Sequence, residues 1–385
     1  MKQIGIIGSG TMGRGIAQVA ATADCSVKVY DTSEAALENS KQQLERILDR
    51  LVEKGKIDEA KSDAISNNIQ HVSQLDDLAE SELVIEAIVE NLEIKKSVFQ
   101  QLETIVSEKC IIASNTSSLS IASLAATLQK PERFVGIHFF NPAPLMKLVE
   151  IIPAIQSDEA TTTSARQTID SWGKLTVLAK DTPGFIVNRV ARPFYGESLR
   201  IYDEGLADIA TMDWVMKELG GFRMGPFELM DFIGNDINYT VTETVFKEFF
   251  YDARYKPSFT QKRMAEAGLL GRKTGKGYYN YEPEAQKPEP VKDEVLGKEL
   301  FNRVLCMLIN EAADALYLHI ATRDDIDTAM TKGVNYPKGL LKWADELGIA
   351  HCVDTLDQLF DTYREERYRC SPLLRKMKEK NQLFY

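Results

Sequence analysis

Residues 3–13 read QIGIIGSGTMG, a short apolar run that leads into three glycines spaced as Gly-x-Gly-x-x-Gly. A helical pattern follows, and a second apolar run, 26–30, ends at Asp31. In such a loop the first glycine permits a tight turn, the second lets a pyrophosphate approach the backbone, and the third lets the helix pack on the strand. The strand, glycines, helix, second strand and terminal acid therefore follow the order of one dinucleotide-binding unit.

The acid at the end of the second strand indicates which dinucleotide binds. A carboxylate there accepts hydrogen bonds from the adenine-ribose hydroxyls and repels a 2′-phosphate. Residues 32–34, which follow Asp31, include no arginine to receive that phosphate. The sequence therefore predicts NAD rather than NADP, with its phosphates at the helix N-terminus. The candidate loop contacts are Gly8, Ser9, Gly10, Thr11, Met12 and Gly13.

Alternating strand and helix patterns continue beyond this unit to about residue 180. Helical patterns cover 33–55 and 58–67. Because strands that alternate with helices form parallel sheets, we expect an α/β Rossmann-like, doubly wound domain. The further predicted strands are 69–72, 83–86, 110–114 and 134–138.

Residues 138–150 read HFFNPAPLMKLVE and begin with one of the four histidines of the chain. The apolar run before His138 predicts a buried strand, the Asn-Pro-x-Pro break predicts a turn, and a second apolar strand leads to Glu150. A strand–turn–strand of this length can bring the two side chains together. Glutamate would then fix the imidazole tautomer and stabilise its protonated form, as a general base requires. Spacing alone leaves open a core histidine with a solvated glutamate.

Two other loops follow predicted strands. Residues 85–95 run from a strand into a helix, with Glu90 and Lys95 near the turn, and residues 113–119 read ASNTSSL. Small hydroxyls and an amide at the carboxyl edge of a parallel sheet can donate to a bound nicotinamide or carbonyl, because ligands bind in that crevice. Simple N-capping of a helix by one of the serines is the alternative, and the row of residues does not decide between them.

Composition limits the class of protein and its partners. The chain has 385 residues, of which 44% are hydrophobic and 27% charged, enough for two or three domains. Its net charge of −11 argues against a nucleic-acid partner. Five cysteines without the spacing of a disulfide framework or metal site favour a reducing compartment and predict no metal.

No apolar run approaches the ~20 residues of a membrane span. Because the first strand leaves no room for a signal peptide, we expect a soluble, cytoplasmic protein with no membrane partner.

The remainder of the chain reads as helical from Phe185, and it contains a repeat. A charged, proline-bearing linker follows Tyr281, and the tail beyond it repeats the preceding segment at an offset of 114 residues. We expect a Rossmann domain over 1–183, a helical domain over 184–282 and a second, repeated helical domain over 291–385. The aligned pairs include Asn188 with Asn302, Arg189 with Arg303, Glu197 with Glu311, Asp213 with Asp327, and Asp231 with Asp345.

The order of these motifs resembles that of the L-3-hydroxyacyl-CoA dehydrogenases, in the long form with a duplicated C-terminal domain. The matching motifs are GSGTMG, AIVEN, ASNTSS, HFFNPAPLMKLVE, KDTPGFIVNR, MGPFELMD and GRKTGKGYY. The resemblance implies reversible, NAD-dependent oxidation of an L-3-hydroxyacyl-CoA to the 3-ketoacyl-CoA. It also implies a place in fatty-acid β-oxidation or butanoate-type metabolism.

The resemblance assigns roles to residues that match the motifs. It implies that His138 is the catalytic base, that Glu150 is its partner, and that Ser117 and Asn188 contact the substrate. The other implied contacts are with the cofactor at Asp31, Glu90, Lys95, Ser117, Asn141 and Lys273, and with the acyl-CoA substrate at Asn141 and Lys54.

Two other functions stay open at this stage. The same pair of residues serves relatives that act on a gulonate- or carnitine-like hydroxy acid, and acyl specificity depends on pocket shape. An inactive, structural NAD-binding protein is the second, although its mark would be the loss of His138 or Glu150, and both are present.

The tail also bears on the oligomeric state. Its apolar residues recur at helical spacing, which predicts a helix with one buried face. A covalently attached copy could cover the first copy at high effective concentration. We therefore expect 291–385 to form an internal pseudo-dimer with 184–281, which would make the chain a monomer, with a homodimer as the alternative. The apolar residues are Phe301, Leu305, Leu308, Ile309 and Leu316.

Overall fold

An eight-stranded sheet forms the centre of Met1–Thr182, the first of two units in this computed structural model, which describes all 385 residues. The strand order is β3-β2-β1-β4-β5-β6-β7-β8, and every neighbouring pair is parallel except β6 with β7. The strands are β1 (Gln3–Ile7), β2 (Ser26–Tyr30), β3 (Ile69–Val72), β4 (Leu83–Glu86), β5 (Ile111–Ser114), β6 (Phe134–Phe139), β7 (Leu148–Pro153) and β8 (Leu175–Leu178).

Helices cover both faces of this sheet, because its central strands are apolar on both sides. The side chains of Ile16 and Leu44 belong to one core with those of β1 and β2. Phe99 instead packs edge-on against Phe134, with ring centroids 4.9 Å apart. The predicted doubly wound fold is confirmed, and the strand order reverses between β1 and β4, where such folds bind ligands. The helices are α1 (Thr11–Thr22), α2 (Glu34–Glu53), α3 (Glu59–Asn67), α4 (Leu92–Ile105), α5 (Ile121–Ala125) and α6 (Glu159–Ser171).

The second unit, Pro183–Tyr385, is helical, as predicted. No helix of either unit combines the length and apolarity needed to cross a membrane. The helices are α7 (Val187–Val190), α8 (Arg192–Asp203), α9 (Ile209–Trp214), α10 (Pro226–Ile233), α11 (Asn235–Glu248), α12 (Phe259–Glu266), α13 (Glu294–Tyr317), α14 (Arg323–Gly333), α15 (Leu340–Leu347), α16 (Ile349–Tyr363) and α17 (Pro372–Lys380).

The sequence repeat has a counterpart in local hydrogen bonding. Asp213 accepts hydrogen bonds from two amides of the first turn of α10, at 2.9 and 3.0 Å. Asp327 does the same for α15, at 2.8 and 3.0 Å. The Tyr279 hydroxyl donates to the first carboxylate at 2.6 Å, and the Tyr385 hydroxyl donates to the second at 3.1 Å. The two copies therefore share side-chain interactions as well as sequence.

A buried glutamate of the second copy binds the first copy. Glu311 of α13 is fully buried and accepts hydrogen bonds from Arg189 Nε at 2.8 Å and from the Tyr255 hydroxyl at 2.5 Å. Arg254 Nη1 lies 3.4 Å from its other oxygen. Because a buried carboxylate is costly unless it is paired, these contacts hold the two copies together.

The equivalent glutamate of the first copy binds the second copy in the same way. Glu197 of α8 accepts hydrogen bonds from Arg303 Nε at 2.6 Å and from the Tyr368 hydroxyl at 2.7 Å. Arg367 Nη1 lies 3.6 Å from its other oxygen. Each contact is thus made twice with the roles exchanged, as in the isologous interface of a two-fold dimer.

Helix α13 differs from the prediction of one buried face. Every residue from Arg303 to Ala315 is buried, including the charged ones. The helix packs against α8 of the first copy and against α15, α16 and α17 of its own copy. Because the two copies enclose it, α13 is the central helix of the second unit rather than a surface helix.

Candidate active site

The glycine loop after β1 has the geometry that a dinucleotide requires. Gly8 has φ +101°, and a Cβ there would lie 2.6 Å from the Ala87 carbonyl oxygen. A Cβ on Gly13 would overlap the carbonyl oxygen of Gly8, whereas one on Gly10 meets nothing within 4 Å. No side chain caps the first turn of α1, so its amides remain for a ligand. The loop therefore leaves the space and the donors that a pyrophosphate needs.

Asp31 lies beside this loop at the end of β2. Its Oδ2 accepts hydrogen bonds from the Ser9 amide at 2.9 Å and the Ser9 hydroxyl at 2.8 Å, and its Oδ1 accepts one from the Ser33 amide at 3.1 Å. The carboxylate therefore fixes the loop to the second strand. Its contact with the adenine ribose stays a prediction.

His138 and Glu150 occupy directly opposite positions on the antiparallel strands β6 and β7. His138 Nδ1 lies 2.7 Å from Glu150 Oε2, and the two residues are 5% and 0% exposed. A solvated glutamate is therefore excluded. A carboxylate acceptor places the proton of the neutral ring on Nδ1, which leaves Nε2 as the basic nitrogen. The Phe140 ring packs beside the imidazole, with centroids 4.6 Å apart.

The loop that carries Ser117 follows β5 and is tied to the histidine strand. Asn115 Oδ1 accepts a hydrogen bond from the Phe139 amide at 2.8 Å. The Ser120 hydroxyl oxygen accepts a hydrogen bond of 3.1 Å from a backbone amide in the first turn of α5, so N-capping accounts for that serine. Asp181 accepts hydrogen bonds from two further amides of α5, at 3.1 and 2.7 Å. Asp181 had no predicted role, and Asn115 was considered only as a donor to a ligand, because the partners of both lie far along the chain.

Glu90 holds the same loop from its other side. Its Oε1 accepts hydrogen bonds from the Ser117 amide at 3.1 Å and from the hydroxyls of Thr116 and Ser118 at 2.5 and 3.0 Å. Burial alone would raise the pKa of Glu90, but the Lys95 ammonium and these hydroxyls lower it by more than burial raises it. The pKa of Glu90 therefore lies below its usual range. Glu90 is therefore ionised at neutral pH and serves the loop as an acceptor.

Lys95, which the family resemblance implies as a cofactor contact, is buried and pairs with two carboxylates. It is 1% exposed, and its Nζ lies 2.5 Å from Glu86 Oε1 and 3.2 Å from Glu90 Oε2. The ammonium thus joins the buried Glu86 carboxylate to the partly exposed Glu90 carboxylate. Its direct contact with the cofactor stays a prediction.

The turn between β6 and β7 is held by a lysine that the sequence analysis missed. Lys174 Nζ donates to the carbonyls of Ala143 and Met146, at 2.5 and 2.8 Å. Burial lowers the pKa of Lys174 to about 8. The exposed Asn141 begins this turn, where its predicted contacts with ligands stay predictions.

The other predicted contacts have their own local surroundings. Asn188 lies on α7 of the second unit, and its carbonyl accepts a hydrogen bond from Arg192 Nε at 2.8 Å. Lys273 of the same unit pairs with Asp236 at 2.6 Å. Lys54 follows α2 in the first unit and is exposed. Their contacts with substrate or cofactor stay predictions.

Comparisons with known proteins identify the family of this chain. Residues 3–182 match the family model of the 3-hydroxyacyl-CoA dehydrogenase NAD-binding domain, and residues 184–281 and 300–384 match that of the C-terminal domain. The chain belongs to the 3-hydroxyacyl-CoA dehydrogenase family. Membership makes it an NAD-dependent oxidoreductase, as predicted, and the C-terminal model matches both helical copies. The division into three domains with the predicted bounds stays a prediction.

Similar proteins include a full-length relative and a shorter one. The chain is 34% identical to 3-hydroxyadipyl-CoA dehydrogenase of Escherichia coli, with 97% of each chain covered. It is 41% identical to a probable 3-hydroxybutyryl-CoA dehydrogenase of Deinococcus radiodurans over 72% of this chain and 100% of the relative. A crystal structure of 3-hydroxybutyryl-CoA dehydrogenase from Escherichia coli superimposes with a TM-score of 0.94, at 34% identity and 98% coverage of both chains. The similarity therefore extends through the duplicated tail.

Proposed function

We propose that this protein catalyses the reversible oxidation of an L-3-hydroxyacyl-CoA to the 3-ketoacyl-CoA, with NAD as the hydride acceptor. The observation that carries the proposal is the buried His138–Glu150 pair, 2.7 Å apart, on the sheet that also bears the dinucleotide loop. Family membership supports the reaction class, and relatives named for 3-hydroxyadipyl-CoA and 3-hydroxybutyryl-CoA support an acyl-CoA substrate.

The pair suits the proton transfer that accompanies hydride loss. His138 accepts the proton of the 3-hydroxyl at Nε2, and Glu150 stabilises the imidazolium that forms. The bound cofactor supplies the hydride acceptor. In the reverse direction the imidazolium returns its proton to the forming alcohol.

Ser117 and Asn188 orient the substrate in this scheme. Their polar groups hold the hydroxyl and carbonyl oxygens so that the reacting carbon faces the nicotinamide. Glu90 holds Ser117 in place by accepting a hydrogen bond from the Ser117 backbone amide. Lys54 meets the phosphates of coenzyme A.

The setting of the enzyme follows from its composition and internal pairing. Five buried, unbridged cysteines suit a reducing cytoplasm, where fatty-acid β-oxidation or butanoate-type metabolism would use the reaction. Glu197 and Glu311 each pair with an arginine of the other helical copy, so one chain contains the kind of interface that a dimer would form between two chains. We therefore assign a monomer, with a homodimer as the alternative.

The test is to follow NADH oxidation with acetoacetyl-CoA and longer 3-ketoacyl-CoAs, and NAD reduction with gulonate and carnitine. We expect turnover of the CoA thioesters and little of the free hydroxy acids. Faster turnover of gulonate or carnitine would contradict the acyl-CoA assignment. NAD binding without turnover of any substrate would favour a structural NAD-binding protein.

A further inference from the structure

A fully buried carboxylate that the proposed mechanism does not use lies at the end of β4. Glu86 Oε1 accepts hydrogen bonds from the Ile88 amide at 2.7 Å and from Lys95 Nζ at 2.5 Å. Its Oε2 accepts one from the Ser114 hydroxyl at 2.7 Å. Burying an ionised carboxylate is costly even when it is paired, and apolar residues would fill a structural position equally well.

The partners of Glu86 lead to the Ser117 loop by two routes. Ser114 is the last residue of β5 and the first support of that loop, and it lies opposite Glu86 in the parallel β4–β5 register. Lys95 lies between Glu86 and Glu90, and Glu90 binds the Ser117 amide. Glu86 therefore holds both the start of the loop and, through two charges, its centre.

Glu90 divides its two oxygens between Lys95, whose Nζ lies 3.2 Å from Oε2, and the Ser117 loop, whose donors bind Oε1. Because Glu86 and Glu90 share the Lys95 ammonium, Glu90 needs only Oε2 for this ion pair and keeps Oε1 for the loop. Without the negative charge of Glu86, the Lys95 ammonium has only Glu90 for charge compensation. Glu90 is then drawn toward Lys95 and away from Ser117.

We propose that Glu86 is a positioning residue that acts through Lys95 and Glu90 to hold Ser117 in its place at the reacting carbon. This inference rests on the proposed function, because it requires that Ser117 contact the substrate. A misplacement of about 1 Å in a substrate-orienting group can lower turnover on the order of 10²-fold. The mechanism therefore includes a residue that touches neither substrate nor cofactor.

The first experiment compares Glu86→Gln with Glu103→Gln in the full-length protein, using acetoacetyl-CoA and NADH. Glu103 is a matched control, because it is a mostly buried glutamate that pairs with Arg133 at 3.4 Å and does not contact the loop. We expect Glu86→Gln to lower kcat roughly 10- to 100-fold with a smaller change in the KM for NADH. The control should stay within about twofold of wild type. Equal kcat values for the wild type and Glu86→Gln would overturn the inference.

The second experiment separates positioning from general destabilisation with a double-mutant cycle. If Glu86 acts through Ser117, adding Glu86→Gln to Ser117→Ala should lower kcat by less than about twofold. Full additivity of the two losses, or a wild-type kcat for Ser117→Ala, would overturn the inference. Should Glu86→Gln fail to fold, the partly exposed Glu90→Gln tests the same path and should show the same non-additivity. A wild-type enzyme inactive on acetoacetyl-CoA would instead contradict the proposed function.

Discussion

Replacing Glu311 with alanine should lower the free energy of unfolding of the second unit, because it removes the ion pairs that join the two helical copies. The change leaves two buried guanidinium groups, those of Arg189 and Arg254, without their shared carboxylate. Removing one partner of a buried ion pair costs about 3–5 kcal/mol. Asp314 lies 2.8 Å from Arg254 and remains as a partial partner, which favours the lower figure. For a unit of this size, about 3 kcal/mol corresponds to a fall in Tm of roughly 6–12 °C.

Urea unfolding followed by tryptophan fluorescence measures this loss, since Trp214 and Trp343 lie in the second unit. Asp357→Asn is the control, because it breaks an exposed pair of the same unit and should cost at most about 1 kcal/mol. Glu197→Ala should match Glu311→Ala within about 1 kcal/mol, because the two glutamates have equivalent partners. A free energy of unfolding for Glu311→Ala that equals that of the control would refute the assigned pairing of the copies.

Three other outcomes are expected. Asp31→Arg should weaken NAD use by about 1–3 kcal/mol in kcat/KM, because the ribose hydroxyls lose their acceptor, and equal use of NADP by the wild type would contradict the NAD assignment. Asn188→Ala should cut kcat, whereas Asn302→Ala should not, since three side chains of its own copy already bind that amide; equal losses would give the tail a catalytic role. Burial alone would raise the pKa of Glu311, but its two arginine partners lower it by more than burial raises it, so the pKa lies below its usual 4.5. The stabilisation is therefore present above about pH 4.5 and is lost as pH falls through the folded pKa. In thermal melts the Tm difference between wild type and Glu311→Ala should then narrow as pH falls below its usual pKa of 4.5, and a constant difference would contradict this assignment.

Sequence patterns indicated that His138 and Glu150 can lie side by side, because antiparallel strands joined by a short turn fix their register. His138 and Glu150 are twelve residues apart, and the strands place them opposite each other. The glycine loop was equally predictable, since a carbonyl oxygen occupies the place of a side chain at Gly13. Strand β8, whose four residues read LTVL, received no predicted bounds.

Buried charges caused the main errors. Charged positions read as solvent-facing, so the pattern of α13 predicted one apolar face, while Arg303 and Glu311 are in fact buried against partners from the other copy. Glu86 gave one weak signal, a charge that ends the apolar run LVIE. Its partners Lys95 and Ser114 lie nine and 28 residues away, and only the folded sheet brings all three together. Periodicity reports the environment of a residue but not its partner.

The measurement that most directly tests the central proposal is the turnover of His138→Gln with acetoacetyl-CoA and NADH, beside its Kd for NADH. Because the proposed mechanism gives the imidazole the proton transfer and not the binding of NADH, we expect a folded protein with a near wild-type Kd. Its kcat should be lower on the order of 10²–10⁴-fold. Glu150→Gln should also be slow, since the imidazolium loses its stabilising charge. A wild-type kcat in His138→Gln would contradict the proposed mechanism.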